Sequence, residues 1–224
     1  MRVVVCLHAC GPGRQMRRND ADALAHALSL GSEHKVTALL AGLGGETGPL
    51  HRALTAGATR AVRLAGEDVA LADFHTLGQL LAAAITRLGA DLIVIGARSD
   101  DEEVGAMSAS LARHLGCLHV ARVEAVALAD SDAAVEVTVR GGGWRRRLRL
   151  RLPAVLAVCD GPDDGLEPSD ITSDPSSIEL MSLADPEATV VRRRTELLGR
   201  PELASRGTRE VTSAAELVDA LTRR

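Results

Sequence analysis

Residues 90–116 read ADLIVIGARSDDEEVGAMSASLARHLG, and this stretch decides the fold class. Its apolar run, Leu92–Ile95, ends at Gly96. An acidic loop follows at Ser99–Glu103, and a helical segment then continues to Leu115. A buried strand that breaks at glycine before a helix predicts loop amides at the carboxyl edge of a parallel sheet. Open α/β sheets bind ligands at that edge, and the N-terminus of the next helix favours an anionic group.

Composition excludes several classes of function. The 224 residues carry a net charge of −4 and are 46% hydrophobic, which suits one globular domain with an extension. This balance gives no whole-chain attraction to nucleic acid or anionic membranes. With one Trp, one Phe and no Tyr, an aromatic platform for single-stranded nucleic acid is not expected. We find no signal-peptide apolar region and no apolar run of about 18 residues, so a cytoplasmic protein is expected.

The first half of the chain alternates between short apolar runs and segments with helical spacing. The strand-like runs are Val3–Leu7, Val36–Ala41, Arg60–Leu64 and Asp91–Ile95. The helical segments are Asp20–Leu30, Pro49–Ala56, Phe74–Leu88 and Met107–Leu115. Asn19 or Asp20 is the expected N-cap of the first helix, and Asp73 that of the third. Four βα units predict an α/β fold with a parallel, doubly wound, Rossmann-like sheet of the adenine nucleotide-binding type.

The second half changes pattern. Consecutive strands are expected at Val120–Leu128, Ala133–Arg140 and Trp144–Leu152, and such strands pair antiparallel. Together with the buried run Ala154–Val158 they complete an α/β nucleotide-binding-type domain with a β-hairpin extension over residues 1–160. Residues 161–189 are rich in Asp, Pro, Ser and Gly, which predicts a linker loop. Residues 190–224 carry too little apolar surface to fold alone, so we expect a C-terminal partner-binding arm.

The residues with reactive side chains point to no catalytic or metal site. Cys6, Cys117 and Cys159 lie in or beside apolar runs, which predicts reduced core thiols. Cys6 and Cys10 have no second pair, so zinc is not expected. His8 follows the first strand and is either close to a ligand or purely structural. Alternating arginines over Arg145–Arg151 predict a solvent or subunit face of a strand rather than a nucleic-acid site.

Several segments, in order, resemble the β subunit of electron-transfer flavoproteins. DADALAHALSL at Asp20–Leu30 is similar to the family's Asp-x-x-Ala-Leu-x-x-Ala-Leu-x-Leu. ALTAGATRA at Ala53–Ala61 is similar to the family's Ala-Leu-x-x-Gly-Ala-Asp-Arg-Ala. DLIVIG at Asp91–Gly96, the Gly141–Gly143 turn and LPAV at Leu152–Val155 continue the series. The resemblance covers nearly the whole chain.

This resemblance implies a non-catalytic electron-transfer subunit that forms a heterodimer with an FAD-binding α subunit. The pair would carry electrons from an unidentified dehydrogenase to a downstream acceptor. FAD would be held mostly by the α subunit, and AMP is the nucleotide that the family's β subunit buries. The implied cofactor-binding residues lie at three strand ends and in the loop before the next helix: Cys6, Ala41, Gly42, Gly96, Asp101, Glu103, Ala106, Met107 and Ser108.

Two departures from the family qualify these expectations. Residues 106–108 replace the Gln and Thr-Gly or Val-Gly that the family usually carries near the phosphate, which argues against AMP. The short, acidic Ser169–Ile178 stands in place of the family's lysine-rich docking stretch, which argues against the usual acyl-CoA dehydrogenase partners. The alternatives are an adenine nucleotide-binding module of the universal-stress type and a structural subunit that has lost its nucleotide.

Overall fold

The computed structural model describes residues 1–10, 15–41, 47–66, 69, 72–97, 106–129, 133–159, 177–182 and 213. The strands are β1 (Arg2–Leu7), β2 (Ala9–Cys10), β3 (Gln15–Met16), β4 (Lys35–Ala41), β5 (Arg60–Ala65), β6 (Leu92–Gly96), β7 (Leu118–Leu128), β8 (Ala134–Gly141), β9 (Trp144–Arg151), β10 (Ala154–Val158) and β11 (Ile178–Ser182). The helices are α1 (Arg18–Leu28), α2 (Gly48–Thr55), α3 (Phe74–Leu88) and α4 (Met107–Leu115). The chain divides into compact units at residues 1–194 and 195–224, and the fold below is that of the first.

Within the described residues, nine strands form one sheet in the order β11-β5-β4-β1-β6-β10-β7-β8-β9. Every neighbouring pair from β11 to β7 is parallel. The β7–β8 and β8–β9 pairs are antiparallel and form a meander. The expected α/β fold, a parallel sheet with an antiparallel addition, is therefore confirmed.

Strands β1, β4, β6 and β10 are buried on both faces, as their continuous apolar runs predict. In β1, Val3, Val5 and Leu7 join the cluster that contains residues of α1 and α2. Val4 and Cys6 point to the opposite face and join the cluster that contains residues of α3 and α4. Two layers of helices thus enclose the sheet, and each buries every second strand residue.

The third and fourth predicted helices are confirmed in type and extent. Asp73 caps α3, because its side-chain Oδ1 accepts a hydrogen bond of 2.9 Å from the backbone N–H of Thr76. Gly89 ends α3 and Gly116 ends α4, each in the left-handed conformation with φ of 64°. None of the helices in the described ranges combines the length and hydropathy needed to cross a bilayer.

The predicted N-cap of α1 is wrong. The helix begins at Arg18, and Arg17 occupies the cap position without a side-chain cap bond. Asp20 lies inside the first turn, and its carboxylate accepts the backbone N–H of His8 at 2.7 Å. The side chain therefore ties α1 to the end of β1 instead of capping its own helix.

A strand, β11, lies within residues 161–189, where a continuous loop is expected from the sequence. It pairs parallel with β5 at the edge of the sheet. Arg60 and Glu179 join the two strands through hydrogen bonds of 3.0 and 2.7 Å. Ile178 and Met181 pack on the two cores, one on each side. Apart from Ser177, the remaining residues of 161–189 lie outside the described residues, as does all of the expected arm 190–224 except Ser213.

The meander buries one face and exposes the other, as the alternation in β9 predicts. Val135 and Val137 of β8 are buried, whereas Arg145 and Arg147 of β9 are exposed on the opposite face. Glu124 of β7 forms ion pairs with Arg140 and Arg145 across this charged face. Charged residues on a sheet edge disfavour pairing with other strands.

Candidate functional site

The carboxyl ends of β1, β4 and β6 lie side by side. Cys6 pairs with Leu39 of β4 on one side and with Ile95 of β6 on the other. The strands then end at Leu7, Ala41 and Gly96. We call these ends, together with His8, the carboxyl-end site.

The carboxyl-end site is also the topological switch point of the sheet. The chain leaves β1 toward β4 on one side of it, and leaves β6 toward β7 on the other. In open α/β sheets the ligand binds outside the carboxyl ends of the strands where the order reverses in this way. The site predicted from the sequence therefore has the topology that ligand binding requires.

Close packing fixes the start of α1 against the end of β6. A Cβ atom on Gly96 would lie 2.8 Å from the Cβ of Asn19 and 3.1 Å from the backbone carbon and oxygen of that residue. Real Cβ atoms do not approach so closely, so only glycine fits here. The first turn of α1 is thus held beside the strand ends.

His8 and Asp20 form a polar pair at this junction. One carboxylate oxygen accepts the backbone N–H of His8 at 2.7 Å. The other lies 3.3 Å from Nδ1 of the imidazole. The Asp20 side chain is 2% exposed and that of His8 is 21% exposed. Because Asp20 lies in the first turn of α1, the helix dipole also favours its negative charge.

Cys6 offers only its backbone to this site. Its side chain is 1% exposed and packs in the core between the sheet and α3 and α4. Burial, reinforced by the negative charge of Asp20, raises the pKa of the Cys6 thiol to about 12. The thiol is therefore protonated and chemically inert at neutral pH.

The start of α4 contains Ala106, Met107 and Ser108. Ala106 occupies the cap position and makes no side-chain cap bond. Ser108 is 2% exposed, and its Oγ lies 2.9 Å from Nε2 of His119 on β7. Burial lowers the pKa of His119, which favours the neutral imidazole. The Ser108 hydroxyl is thus engaged by the protein itself.

The predicted cofactor-binding residues fall into three groups. Cys6, Ala41 and Gly96 are brought together on neighbouring strands. Ala106 caps α4 and Met107 and Ser108 begin it, and this helix packs on α3, β10 and β7. Gly42, Asp101 and Glu103 lie outside the described residues.

Sequence reasoning did not predict the bond between His8 and Asp20 or that between Ser108 and His119. The first has a weak local signal, namely a polar residue at a strand end followed by an acid near the next helix start. The second has none, because it depends on how the chain turns from α4 into β7. Among the described residues, no three His, Cys, Asp or Glu side chains are grouped so that they could hold a metal ion.

The sheet order and its helices define a Rossmann-like α/β protein. The family model described as the electron transfer flavoprotein domain matches residues 7–172. The chain therefore belongs to the electron transfer flavoprotein family, and the resemblance found in its sequence is confirmed.

Curated relatives agree with this assignment. Protein FixA of Azorhizobium caulinodans is 29% identical over 153 residues, which are 65% of this chain and 54% of the relative. The electron transfer flavoprotein subunit beta of Mycobacterium tuberculosis is 31% identical over 129 residues, which are 57% of this chain and 48% of the relative. The matched part of the chain thus spans about half the length of these relatives.

Proposed function

We propose that this chain is an electron-transfer subunit of the β type. The observation that carries the proposal is the family match over residues 7–172, which includes all three strand ends of the carboxyl-end site. In this role the chain itself performs no catalysis. It forms a heterodimer with an α-subunit-like protein that binds FAD, and the pair carries electrons from a dehydrogenase to a downstream acceptor.

The bound flavin supplies the redox chemistry, and the protein supplies position and electrostatics. The described residues suit the adenosine part of a nucleotide better than a flavin ring. His8 presents a polar ring at the strand ends. Trp144, the one Trp in the sequence, lies on β9, four strands from β6 or about 19 Å at the usual strand spacing. We therefore assign the isoalloxazine ring to the partner subunit and an adenosine moiety to the carboxyl-end site.

The family resemblance supplies nine cofactor-binding residues for this proposal, of which Cys6, Ala41 and Gly96 contribute backbone at the strand ends. The loop before α4 and its first turn contribute Asp101, Glu103, Ala106, Met107 and Ser108, and Gly42 follows β4. The C-terminal arm, residues 190–224, binds the partner subunit. Deletion of the arm should weaken assembly of the heterodimer more than it lowers the stability of the sheet. Unchanged affinity for the α-like subunit would contradict this role.

Co-expression with an α-like subunit tests the proposal. We expect a yellow complex with the absorption spectrum of bound flavin, and a colourless protein when this chain is produced alone. Mass spectrometry of the small molecules released from each preparation separates the alternatives. FAD or AMP supports the electron-transfer subunit, ATP supports a universal-stress type module, and the absence of any nucleotide supports a purely structural subunit.

A further inference from the structure

The imidazole of His8 is oriented by a carboxylate that is almost completely buried. Asp20 is 2% exposed, and its two oxygens bind different groups of the same residue. Its Oδ2 accepts the backbone N–H of His8 at 2.7 Å, and its Oδ1 lies 3.3 Å from Nδ1. The backbone bond alone would hold the end of β1 against α1. The second contact additionally fixes the direction of the ring.

This contact also decides which nitrogen of His8 carries the proton. An ionised carboxylate can only accept hydrogen bonds, so Nδ1 must be the donor. In the neutral imidazole the proton therefore lies on Nδ1, and Nε2 keeps its lone pair. No described residue bonds to Nε2, and 21% of the side chain is exposed. Within the part of the chain that the structure describes, a hydrogen-bond acceptor of fixed direction thus has no protein partner at the carboxyl-end site.

We propose that Nε2 of His8 accepts a hydrogen bond from a sugar hydroxyl of a nucleotide bound at the carboxyl-end site, with Asp20 as the positioning residue. This inference rests on the proposed function, because it names a contact within the nucleotide site. It adds a residue that lies outside the nine assigned above. The ligand class is a nucleoside with its ribose hydroxyls intact.

While the imidazole is neutral, its Nε2 lone pair matches a hydroxyl donor and not a phosphate oxygen. A phosphate offers only acceptor oxygens near neutral pH and would face an acceptor nitrogen. A ribose hydroxyl donates a proton and matches it. In related open sheets, a side-chain acceptor close to the switch point binds the ribose in the same manner, although there it is a carboxylate.

Asparagine and glutamine substitutions at position 8 distinguish the contact made by Nδ1 from the contact made by Nε2. The amide of Asn reaches the position of Nδ1, so His8→Asn keeps the contact with Asp20 and loses the ligand contact. The amide of Gln reaches the position of Nε2, so His8→Gln keeps an acceptor toward the ligand. Equilibrium dialysis of the full-length chain against labelled AMP should show about tenfold weaker binding for His8→Asn and less than threefold weaker binding for His8→Gln.

The sugar hydroxyl is identified with 2′-deoxy-AMP and 3′-deoxy-AMP. The wild-type chain should bind one of these about tenfold more weakly than AMP. His8→Asn should bind all three nucleotides with equal affinity, because the acceptor is gone. His34→Gln is the control, since His34 is a buried histidine that precedes β4 at the amino edge of the sheet, away from the carboxyl-end site. This variant should still bind AMP more tightly than the same deoxy nucleotide.

Asp20→Asn tests the positioning role with His8 still present. The carboxamide oxygen can accept the backbone N–H of His8, which leaves the amide NH2 group facing Nδ1. The imidazole must then carry its proton on Nε2, and the acceptor toward the ligand is lost. Nitrogen-15 NMR of the histidine ring should show the Nδ1–H tautomer in the wild type and the Nε2–H tautomer in Asp20→Asn. A merely structural aspartate would not produce this switch.

Several outcomes would overturn the proposal. Equal AMP affinity for His8→Asn and the wild type is one, and an Nε2–H tautomer in the wild type is another. A wild-type chain that binds AMP and both deoxy nucleotides alike also contradicts it. If AMP does not bind but a yellow heterodimer forms, this contact is wrong while the electron-transfer role stands. If Asp20→Asn does not fold, the comparison of His8→Asn with His8→Gln still tests whether Nε2 of His8 contacts the nucleotide.

Discussion

Strands β1, β4, β6 and β10 are buried on both faces, whereas β8 and β9 are buried on one face only. The first group is sandwiched between helices, and its interior positions are apolar apart from Thr37. In the second group, Val135 and Val137 lie in the core and the arginines of β9 are exposed to solvent.

The two regions also end at different positions along the strand direction. Val158, the last residue of β10, aligns with Val123 of β7, and β7 continues to Leu128. The meander therefore extends past the carboxyl ends of the parallel strands. The parallel region fixes the position of the carboxyl-end site, and the meander carries exposed arginines on one face. Mutations should consequently affect folding most in the first region and least on the charged face of the second.

Replacing one leucine in each region by alanine should give the largest difference in the free energy of unfolding. Leu156 of β10 is 0% exposed, whereas Leu148 of β9 is only half-buried. Leu156→Ala should lower the free energy of unfolding by about 3 kcal/mol, since it leaves a cavity between the sheet and its helices. Leu148→Ala should lower it by about 1 kcal/mol. Urea denaturation measures both, and equal losses would contradict the distinction between the regions.

Gly96→Ala should have the next largest effect. The added methyl group would meet the Cβ and the backbone of Asn19, which cannot move without displacing α1. We expect a loss of about 2 kcal/mol in the free energy of unfolding. Gly116→Ala is the control, because no atom lies within 4 Å of its Cβ position and only its φ of 64° opposes the change. A loss for Gly96→Ala no larger than the roughly 1 kcal/mol expected of the control would mean that α1 tolerates the shift.

The buried thiol predicts a pH dependence of stability. Folding raises the pKa of Cys6 from 9.0 to about 12, so the folded state binds more protons than the unfolded state between these values. The contribution is fully present below pH 9 and is lost as the pH rises toward 12. The slope is at most about 1.4 kcal/mol per pH unit.

Cys6→Ala is the variant that tests this dependence. It removes the titrating group, so its stability should fall less steeply above pH 9 than that of the wild type. Parallel chemical denaturation curves from pH 8 to pH 11 measure the difference. Identical slopes for the two proteins would show that the thiol is not buried as described.

The ion pair between Arg147 and Glu136 should contribute least to the free energy of unfolding. Nη2 of Arg147 lies 2.8 Å from the Glu136 carboxylate, but the Arg147 side chain is 80% exposed. Arg147→Gln should therefore change the free energy of unfolding by less than about 0.5 kcal/mol. Added salt should reduce even this difference. A double-mutant cycle with Glu136→Gln that gives more than about 1 kcal/mol would show that the charged face is more strongly coupled than its exposure implies.

Local signals in the sequence were sufficient to predict the parallel region. Asp73 and Gly89 mark the two ends of α3 because a side-chain cap and a left-handed glycine act within one turn of the helix. The antiparallel meander was predictable for the same reason, since the Gly141–Gly143 turn joins two alternating runs. The choice of the three strand ends came from the family resemblance, and the parallel sheet that the alternation predicts allows such ends to converge at a switch point.

Long-range pairing was not predictable. Ile178–Ser182 lies in a polar stretch and becomes a strand only because the edge of β5 is available to it. β10 inserts between β6 and β7, and no local pattern specifies that position. The position of Asp20 before a helical segment predicted a helix cap. The carboxylate instead accepts the backbone N–H of His8, and this contact forms only in the folded chain. The cofactor-binding residues in the loop before α4 and in its first turn were inferred from family resemblance, because no spacing rule identifies them.

Native mass spectrometry of the co-expressed pair tests the central claim most directly. The account predicts a one-to-one heterodimer of this chain with the α-like subunit, which carries one FAD that is released when the complex is dissociated. It also predicts that this chain, produced alone, carries no FAD. A chain that is saturated with FAD in the absence of the α-like subunit, or a heterodimer that contains no flavin, would contradict it.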